Sequence, residues 1–170
     1  METIKVAILG ASGYTGIELV RLLLAHPHAQ ITAATSRASA GNRIDEMFPR
    51  FAHLTGSELS FMEPDMEAVA KTGAKIAFLA LPHGTAADYA NELLAKGIRV
   101  IDLSADFRLR EASTYEEFYG GTHPAPDLLQ QAIYGLPEVY SREIATASLV
   151  ASPGCLLYTS PSPRDLSTSR

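Results

Sequence analysis

The chain has 170 residues, 46% apolar and 19% charged, with a formal net charge of −5, which is typical of one soluble globular domain of ordinary size. Its 14 basic residues are scattered and no apolar run approaches the roughly 18 residues that a membrane span needs, so composition argues against nucleic acid and membranes as partners. The single cysteine excludes an internal disulfide, and without a secretory signal pattern at the N-terminus it favours a reducing, cytoplasmic setting.

Strand-like and helix-like segments alternate along the chain. Short apolar runs predict strands over 5–9, 30–34, 75–81, 99–103 and 149–151, and periodic stretches predict helices over 14–25, 65–71 and 85–96. This alternation predicts an α/β fold with a doubly wound, Rossmann-type parallel sheet. Thr85, with Asp88 three residues later, resembles a capping box and predicts the start of the third helix. Over 110–142 the pattern breaks into Tyr-, Gly- and Pro-rich stretches, which are candidates for a wall of a binding site.

A glycine turn lies between the first strand and the first helix. Gly10, Gly13 and Gly16 provide positions without Cβ, which a backbone needs to leave the strand sharply, approach a pyrophosphate and pack a helix on the sheet. The N–H groups and positive dipole end of the helix then face the phosphates. The spacing is a variant of the usual fingerprint, and a turn that merely closes a βα unit is the alternative. The predicted cofactor-binding residues here are Gly10, Ser12, Gly13, Tyr14, Thr15 and Gly16.

The residues after the second strand indicate which dinucleotide binds. A site for NAD usually has an acidic residue here to hold the ribose hydroxyls, whereas this chain has Ser36 and Arg37. A hydroxyl and a guanidinium both donate hydrogen bonds to a 2′-phosphate, so we expect NADP as the cofactor. The alternative is that Arg37 is an ordinary solvated cation of a loop.

Two further segments follow predicted strands, where open α/β sheets bind ligands. Pro82 and His83 are candidate cofactor contacts; the alternative for His83 is that it only marks the start of a helix. Ser104 and Arg108 are candidate substrate contacts, because a substrate phosphate or carboxylate suits a bidentate guanidinium. The alternative for Arg108 is an ion pair with Asp106 across the turn. No metal site is expected.

Cys155 follows the last predicted strand in the string Ser-Pro-Gly-Cys. Combined with a dinucleotide site, a single poised thiol indicates an enzyme that reduces or oxidises an acyl group through a thioester. The alternative is an inert, buried thiol in a non-catalytic dinucleotide-binding module.

Several motifs together carry a family resemblance. In order and spacing the chain closely resembles the N-acetyl-γ-glutamyl-phosphate reductases, through G-A-S-G-Y-T-G at 10–16, T-S-R at 35–37, A-L-P-H-G at 80–84, I-D-L-S-A-D-F-R-L at 101–109, Y-G-L-P-E at 134–138 and S-P-G-C at 152–155. The resemblance implies NADPH-dependent reduction of the small acyl phosphate N-acetyl-glutamyl 5-phosphate to the semialdehyde, a step of arginine biosynthesis, with Cys155 as nucleophile. Aspartate-semialdehyde dehydrogenase is the related alternative, which the S-A-D-F-R and P-G-C strings disfavour.

The resemblance ends abruptly after Cys155. The family continues with Tyr-Pro-Thr, whereas this chain has Leu156, Leu157 and Tyr158. The family's catalytic histidine belongs to a second domain, and no histidine follows Cys155 here, so we expect these 170 residues alone to be inactive. We interpret 1–155 as the NADP-binding domain, and 156–170 as a disordered, non-native tail that resembles translated adaptor sequence. A full-length form is expected to be a homo-oligomer whose interface lies mostly in the second domain.

Overall fold

The computed structural model describes residues 3–54 and 59–154, so Cys155 and the predicted tail 156–170 lie outside the described residues. Within the described part, strands and helices alternate, as the sequence predicts. The strands are β1 (Ile4–Leu9), β2 (Ala29–Thr35), β3 (Ile76–Leu79), β4 (Arg99–Asp102), β5 (Ile133–Tyr134) and β6 (Leu149–Ala151). The helices are α1 (Tyr14–Leu24), α2 (Ile44–Met47), α3 (Met66–Lys71), α4 (Ala86–Ala95), α5 (Ala112–Tyr119), α6 (Pro126–Leu129) and α7 (Pro137–Thr146), with a 3-10 turn at Pro49–Phe51.

All six strands pair in parallel, in the order β2-β1-β3-β4-β6-β5. From β1 the chain moves outward to β2 and then returns across β1 to β3, so the strand order reverses between β1 and β3. An open parallel sheet binds its ligand at such a switch point, beyond the carboxyl ends of the strands. This topology confirms the predicted doubly wound sheet, and it adds β5, a two-residue edge strand that the sequence analysis did not predict.

The core forms two layers, one on each face of the sheet. Ala7 and Leu9 of β1 point into the layer that α3 and α4 cover, whereas Ile8 points into the layer that α1 covers. All three residues are fully buried. A strand covered on both faces is a continuous apolar run, which is the pattern that predicted β1.

The start of α4 differs from its prediction. Thr85 is the N-cap residue of α4 but forms no side-chain capping bond, so the predicted capping box is wrong. Instead, the carboxylate of Asp106 accepts hydrogen bonds from the N–H groups of Gly84, at 2.7 Å, and of Ala87, at 3.2 Å. A carboxylate that lies at the N-terminus of a helix stabilises its positive end, even when the acidic residue is distant in the sequence. Asp106, which follows β4, therefore holds the loop after β3.

Asp106 is itself held from α5 and from the segment after it. The Tyr115 hydroxyl donates to its carboxylate at 3.1 Å, and Nε2 of His123 lies 2.8 Å from its main-chain oxygen. Nδ1 of His123 accepts from the N–H of Ala125, which leaves Nε2 as the donor and fixes the neutral tautomer. Burial, reinforced by the Asp106 charge, raises the pKa of Tyr115 to about 12, so this hydroxyl keeps its proton. The irregular 110–142 region is thereby attached to the end of β4.

Asp102, the last residue of β4, is a second buried carboxylate. It accepts hydrogen bonds from the N–H and the hydroxyl of Ser104, at 2.9 and 2.8 Å. Burial nevertheless raises the pKa of Asp102 to about 6, because the Ser104 bonds and the charge of Arg108 offset the lost hydration and the charge of Asp106 only in part. Ionisation of Asp102 therefore lowers the free energy of unfolding.

The glycine turn between β1 and α1 depends on close main-chain contacts. A Cβ at Gly16 would lie 2.1 Å from the carbonyl oxygen of Gly10, and a Cβ at Gly10 would lie 2.4 Å from that of Ala80. Gly10 also has a φ of +79°, which side chains with a Cβ rarely adopt. A Cβ at Gly13, in contrast, would meet only an ordinary contact at 3.5 Å.

We predict that Gly16→Ala lowers the free energy of unfolding by roughly 1–3 kcal/mol, because overpacking against main chain outweighs the helix propensity of alanine. Gly13→Ala is the matched control and should cost less than about 1 kcal/mol, since alanine is only a poorer N-cap than glycine. Urea unfolding of both variants measures the difference. A Gly16→Ala variant as stable as the Gly13→Ala variant would contradict the predicted clash.

We also predict that Asp102→Asn changes how stability depends on pH. The pKa of Asp102 is about 6 in the folded state and 3.8 as its ordinary value, so the folded state binds this proton more tightly. The resulting destabilisation is absent below about pH 4, grows as pH rises, and is complete above about pH 6, at roughly 3 kcal/mol. The variant should therefore gain stability relative to the native chain between about pH 4 and pH 7.

Urea unfolding across this pH range tests the prediction, with Asp127→Asn at an exposed position of α6 as the control. The difference in stability between Asp102→Asn and the native chain should rise with pH by more than the difference between the control and the native chain. A flat difference for Asp102→Asn would show that the Asp102 carboxyl has the same proton affinity folded and unfolded.

Candidate functional site

The predicted site segments lie at one edge of the sheet, beyond the carboxyl ends of the strands. The glycine turn follows β1, Ser36 and Arg37 follow β2, and Pro82 and His83 follow β3. Ser104 and Arg108 follow β4, and Ser152 to Gly154 follow β6. Because parallel strands all end at the same edge, segments distant in the sequence share one site.

The glycine turn presents an open surface at the start of α1. Gly13 is the N-cap residue of α1 and provides no side-chain capping bond. Gly13, Tyr14 and Thr15 are exposed, and Tyr14 reaches 97% exposure. The space around Gly13 suits the close approach of a pyrophosphate, whose oxygens would accept hydrogen bonds from the first-turn N–H groups. The turn therefore fits a dinucleotide.

A cavity of about 180 Å³ lies where Ser36 and Arg37 were predicted to bind a 2′-phosphate. Complete ligand sites are usually larger, at about 300–1,000 Å³, so this cavity suits one end of a dinucleotide. The hydroxyls of Ser12 and Ser36 are 2.8 Å apart, which joins the glycine turn to the end of β2. The residues described as lining the cavity include no acidic side chain; they are Gly10, Thr35, Ser36, Arg37, Pro64, Leu81, Pro82, Thr85 and Tyr89.

Pro82 and His83 have different positions in this site. Pro82 lines the cavity beside Arg37. His83 does not line it; the His83 ring is exposed, and its centroid lies 6.0 Å from that of Tyr119 in α5. His83 also lies just ahead of α4, so its contact with a cofactor stays a prediction.

Arg108 contacts main chain rather than an acidic side chain. Its Nε donates to the carbonyl oxygen of Ser152 at 2.9 Å, and Nη2 donates to that of Leu103 at 3.1 Å. The alternative ion pair with Asp106 is not formed in the described structure, because that carboxylate binds α4 and Tyr115 instead. Arg108 therefore joins the segment after β4 to the segment after β6.

Ser104 is buried between the carboxylate of Asp102 and the main chain of Asp106. Its hydroxyl donates to Asp102 at 2.8 Å and accepts from the N–H of Asp106 at 3.0 Å. These bonds give Ser104 a clear positioning role, and its contact with substrate stays a prediction.

Cys155 lies outside the described residues, but the residue before it does not. A Cβ built on Gly154 would lie 3.3 Å from Nη1 of Arg108. A guanidinium is therefore next to the chain one residue before the cysteine.

Three residues of this edge were missed by the sequence analysis as functional positions. Tyr89 of α4 lines the Arg37 cavity, and its hydroxyl accepts a hydrogen bond from Arg37. Phe48 and Arg50 line a second cavity, of about 410 Å³, against Ser12, Gly13 and Tyr14. No local pattern marks these residues, because each reaches the site only through the pairing of distant elements.

Neither a membrane-spanning helix nor a metal site is present among the described residues. No helix among them is long and apolar enough to span a membrane. No group of three or more His, Cys, Asp or Glu side chains in the described ranges has an arrangement that could hold a metal ion.

The chain is similar to curated proteins named N-acetyl-γ-glutamyl-phosphate reductase. It is 57% identical to that of Akkermansia muciniphila over 155 residues, which is 91% of this chain and 45% of the relative. It is 54% identical to that of Ectopseudomonas mendocina, over 89% of this chain and 43% of the relative. The chain thus spans less than half the length of these relatives.

Solved structures of aspartate-semialdehyde dehydrogenases share the fold. The type II enzyme of Vibrio cholerae, complexed with ASA, superposes with a TM-score of 0.62 at 19% identity, over 91% of this chain and 42% of that one. The enzyme of Candida albicans with NADP gives a TM-score of 0.52 at 21% identity, over 65% of this chain and 32% of that one. At these identities the likeness concerns the fold alone.

A family model gives the assignment. The model of the semialdehyde dehydrogenase NAD-binding domain matches residues 5–147, which include all but the first residue of β1, its glycine turn and the strands through β5. Because this match covers most of the chain, the protein belongs to the semialdehyde dehydrogenase family through its NAD-binding domain.

Proposed function

We propose that this chain provides the dinucleotide-binding domain of an N-acetyl-γ-glutamyl-phosphate reductase, that it binds NADPH, and that Cys155 is the nucleophile. The observation that carries the proposal is the cavity at the carboxyl edge of the sheet. It combines Arg37 and Ser36 with a glycine turn that fits a pyrophosphate. The relatives that are 54–57% identical carry this enzyme's name, which supports the choice of substrate.

The proposed cofactor contacts fall into two groups. The N–H groups of the α1 start, from Gly13 onward, would hold the pyrophosphate, with Arg50 beside them. Arg37 and Ser36 would hold the 2′-phosphate, because both donate hydrogen bonds and no described residue lining their cavity is acidic. When bound, NADPH supplies the hydride for reduction of the acyl group.

The proposed role of Cys155 is covalent. Its thiolate would attack the acyl carbon of N-acetyl-glutamyl 5-phosphate, so that a C–S bond forms while the C–O bond to phosphate breaks. Inorganic phosphate leaves with the electron pair of the broken bond, and an acyl thioester remains on the cysteine. Arg108, next to Gly154, would stabilise the thiolate before attack. Nη1 of Arg108 would also bind an anionic group of the substrate. Ser104 would hold in place the segment after β4, which contains Arg108.

A second candidate function is a non-catalytic dinucleotide-binding module. It shares the cavity and the glycine turn with the first candidate and differs only at Cys155, which would then be inert. The related alternative, aspartate-semialdehyde dehydrogenase, has only fold-level similarity in its favour. The chemistry of the single thiol therefore separates an enzyme from a binding module.

We predict that the chain binds NADPH more tightly than NADH and that Arg37→Ala removes roughly 1–3 kcal/mol of this preference, as expected for a charge-assisted hydrogen bond. Calorimetry with both cofactors measures the two dissociation constants. Arg142→Ala, which removes an exposed arginine of α7, is the matched control and should change neither constant. Equal dissociation constants for NADPH and NADH in the native chain would refute the proposed NADP site.

We predict that Cys155 reacts with iodoacetamide faster than N-acetylcysteine at about pH 7, with an apparent pKa below the ordinary value of about 8.5. Because Cys155 is the chain's only cysteine, the rate of incorporation reports on this thiol alone, and Cys155→Ser gives the background. Labelling slower than that of N-acetylcysteine would favour the binding module over the enzyme.

A further inference from the structure

The guanidinium of Arg37 is held by a residue of α4. Nη2 of Arg37 donates a hydrogen bond to the Tyr89 hydroxyl at 2.7 Å. Both side chains line the same cavity as Ser36. The two residues are 52 positions apart in the sequence. They come together because β2 ends, and α4 begins, at the same edge of the sheet.

Tyr89 is a firm support for this contact. Its ring is partly buried and packs against the core layer of β3 and α4. Tyr89 lies in the first turn of α4, whose start is fixed by the Asp106 carboxylate through Gly84 and Ala87. A tyrosine also loses little conformational freedom, because its position depends on only two torsion angles.

Arg37 has the opposite properties. It is exposed, and a free arginine side chain would lose much of its rotamer entropy on binding a phosphate. The bond to Tyr89 occupies one of the five N–H donors of the guanidinium and leaves the others for a bidentate contact. Part of the side-chain entropy of Arg37 is therefore lost before the ligand binds. Only a ligand that contacts Arg37 binds more tightly as a result.

We propose that Tyr89 is a positioning residue that sets the preference for NADPH over NADH by holding Arg37 toward the 2′-phosphate. This inference rests on the proposed NADP site. It adds to that site a residue that acts through Arg37, and it predicts an effect only on ligands that carry the 2′-phosphate.

The test compares Tyr89→Phe, Arg37→Ala and the double variant in the full 170-residue chain. Calorimetry gives the dissociation constants of NADPH and NADH, and those of adenosine 2′,5′-bisphosphate and AMP, which isolate the contribution of the 2′-phosphate. Tyr89→Phe should raise the constants of the two ligands with a 2′-phosphate, NADPH and adenosine 2′,5′-bisphosphate, about 3- to 10-fold and leave NADH and AMP within about twofold. The double variant should bind like Arg37→Ala, because Tyr89 acts through Arg37.

Tyr140→Phe, on α7, is the matched control and should change no constant. Should Tyr89→Phe not fold, as judged by thermal unfolding, Tyr89→Met keeps an apolar chain against the core and permits the same comparison. An equal loss of affinity for ligands with and without the 2′-phosphate would show a general structural role and overturn the proposal. Additive losses in the double variant would also overturn it, because Tyr89 would then act independently of Arg37.

The same series distinguishes this inference from the function on which it rests. If Arg37→Ala leaves the ratio of NADPH to NADH affinity unchanged, the proposed NADP site fails. If Arg37→Ala lowers that ratio and Tyr89→Phe does not, only the role of Tyr89 fails.

Discussion

The arrangement of the candidate site depends on one buried carboxylate, that of Asp106. It follows β4 in the chain but binds the N–H groups at the start of α4, which follows β3. A single side chain thereby fixes the loop that contains His83 and the first turn that contains Tyr89. A carboxylate at a helix N-terminus both accepts hydrogen bonds from the free N–H groups and interacts favourably with the helix dipole. It therefore takes the place of a capping side chain from the helix's own first residues.

Burying two carboxylates at the end of β4 has a cost that the hydrogen-bond network reduces. Asp102 is bound by Ser104, and Ser104 in turn binds the N–H of Asp106. Within the described residues, every buried side-chain nitrogen or oxygen has a hydrogen-bond partner. A fully satisfied polar network in a region of low dielectric is rigid, since breaking any bond leaves a buried group unpaired. Such rigidity suits a site whose groups must keep fixed positions around a ligand.

The two sides of the site are built on this network in different ways. On the cofactor side, the loop after β3 and the first turn of α4 place Pro82 and Tyr89 around Arg37. On the other side, Arg108 joins the end of β4 to Ser152, just ahead of Gly154. Both sides depend on the short segment after β4, so a change in that segment is expected to affect the dinucleotide cavity and the contact between Arg108 and Ser152 together.

The sequence by itself determined the fold class, the glycine turn and the order of the site segments. Apolar runs, turn residues and missing Cβ atoms are properties of neighbouring residues, so Gly10, Gly16 and the run of β1 could be interpreted without any knowledge of distant contacts. Only the tertiary structure decided that Asp106 replaces Thr85 as the cap of α4, that Tyr89 meets Arg37, and that the two-residue β5 pairs with β6. Each of these contacts joins residues from different elements, and the parallel sheet alone brings those elements to one edge.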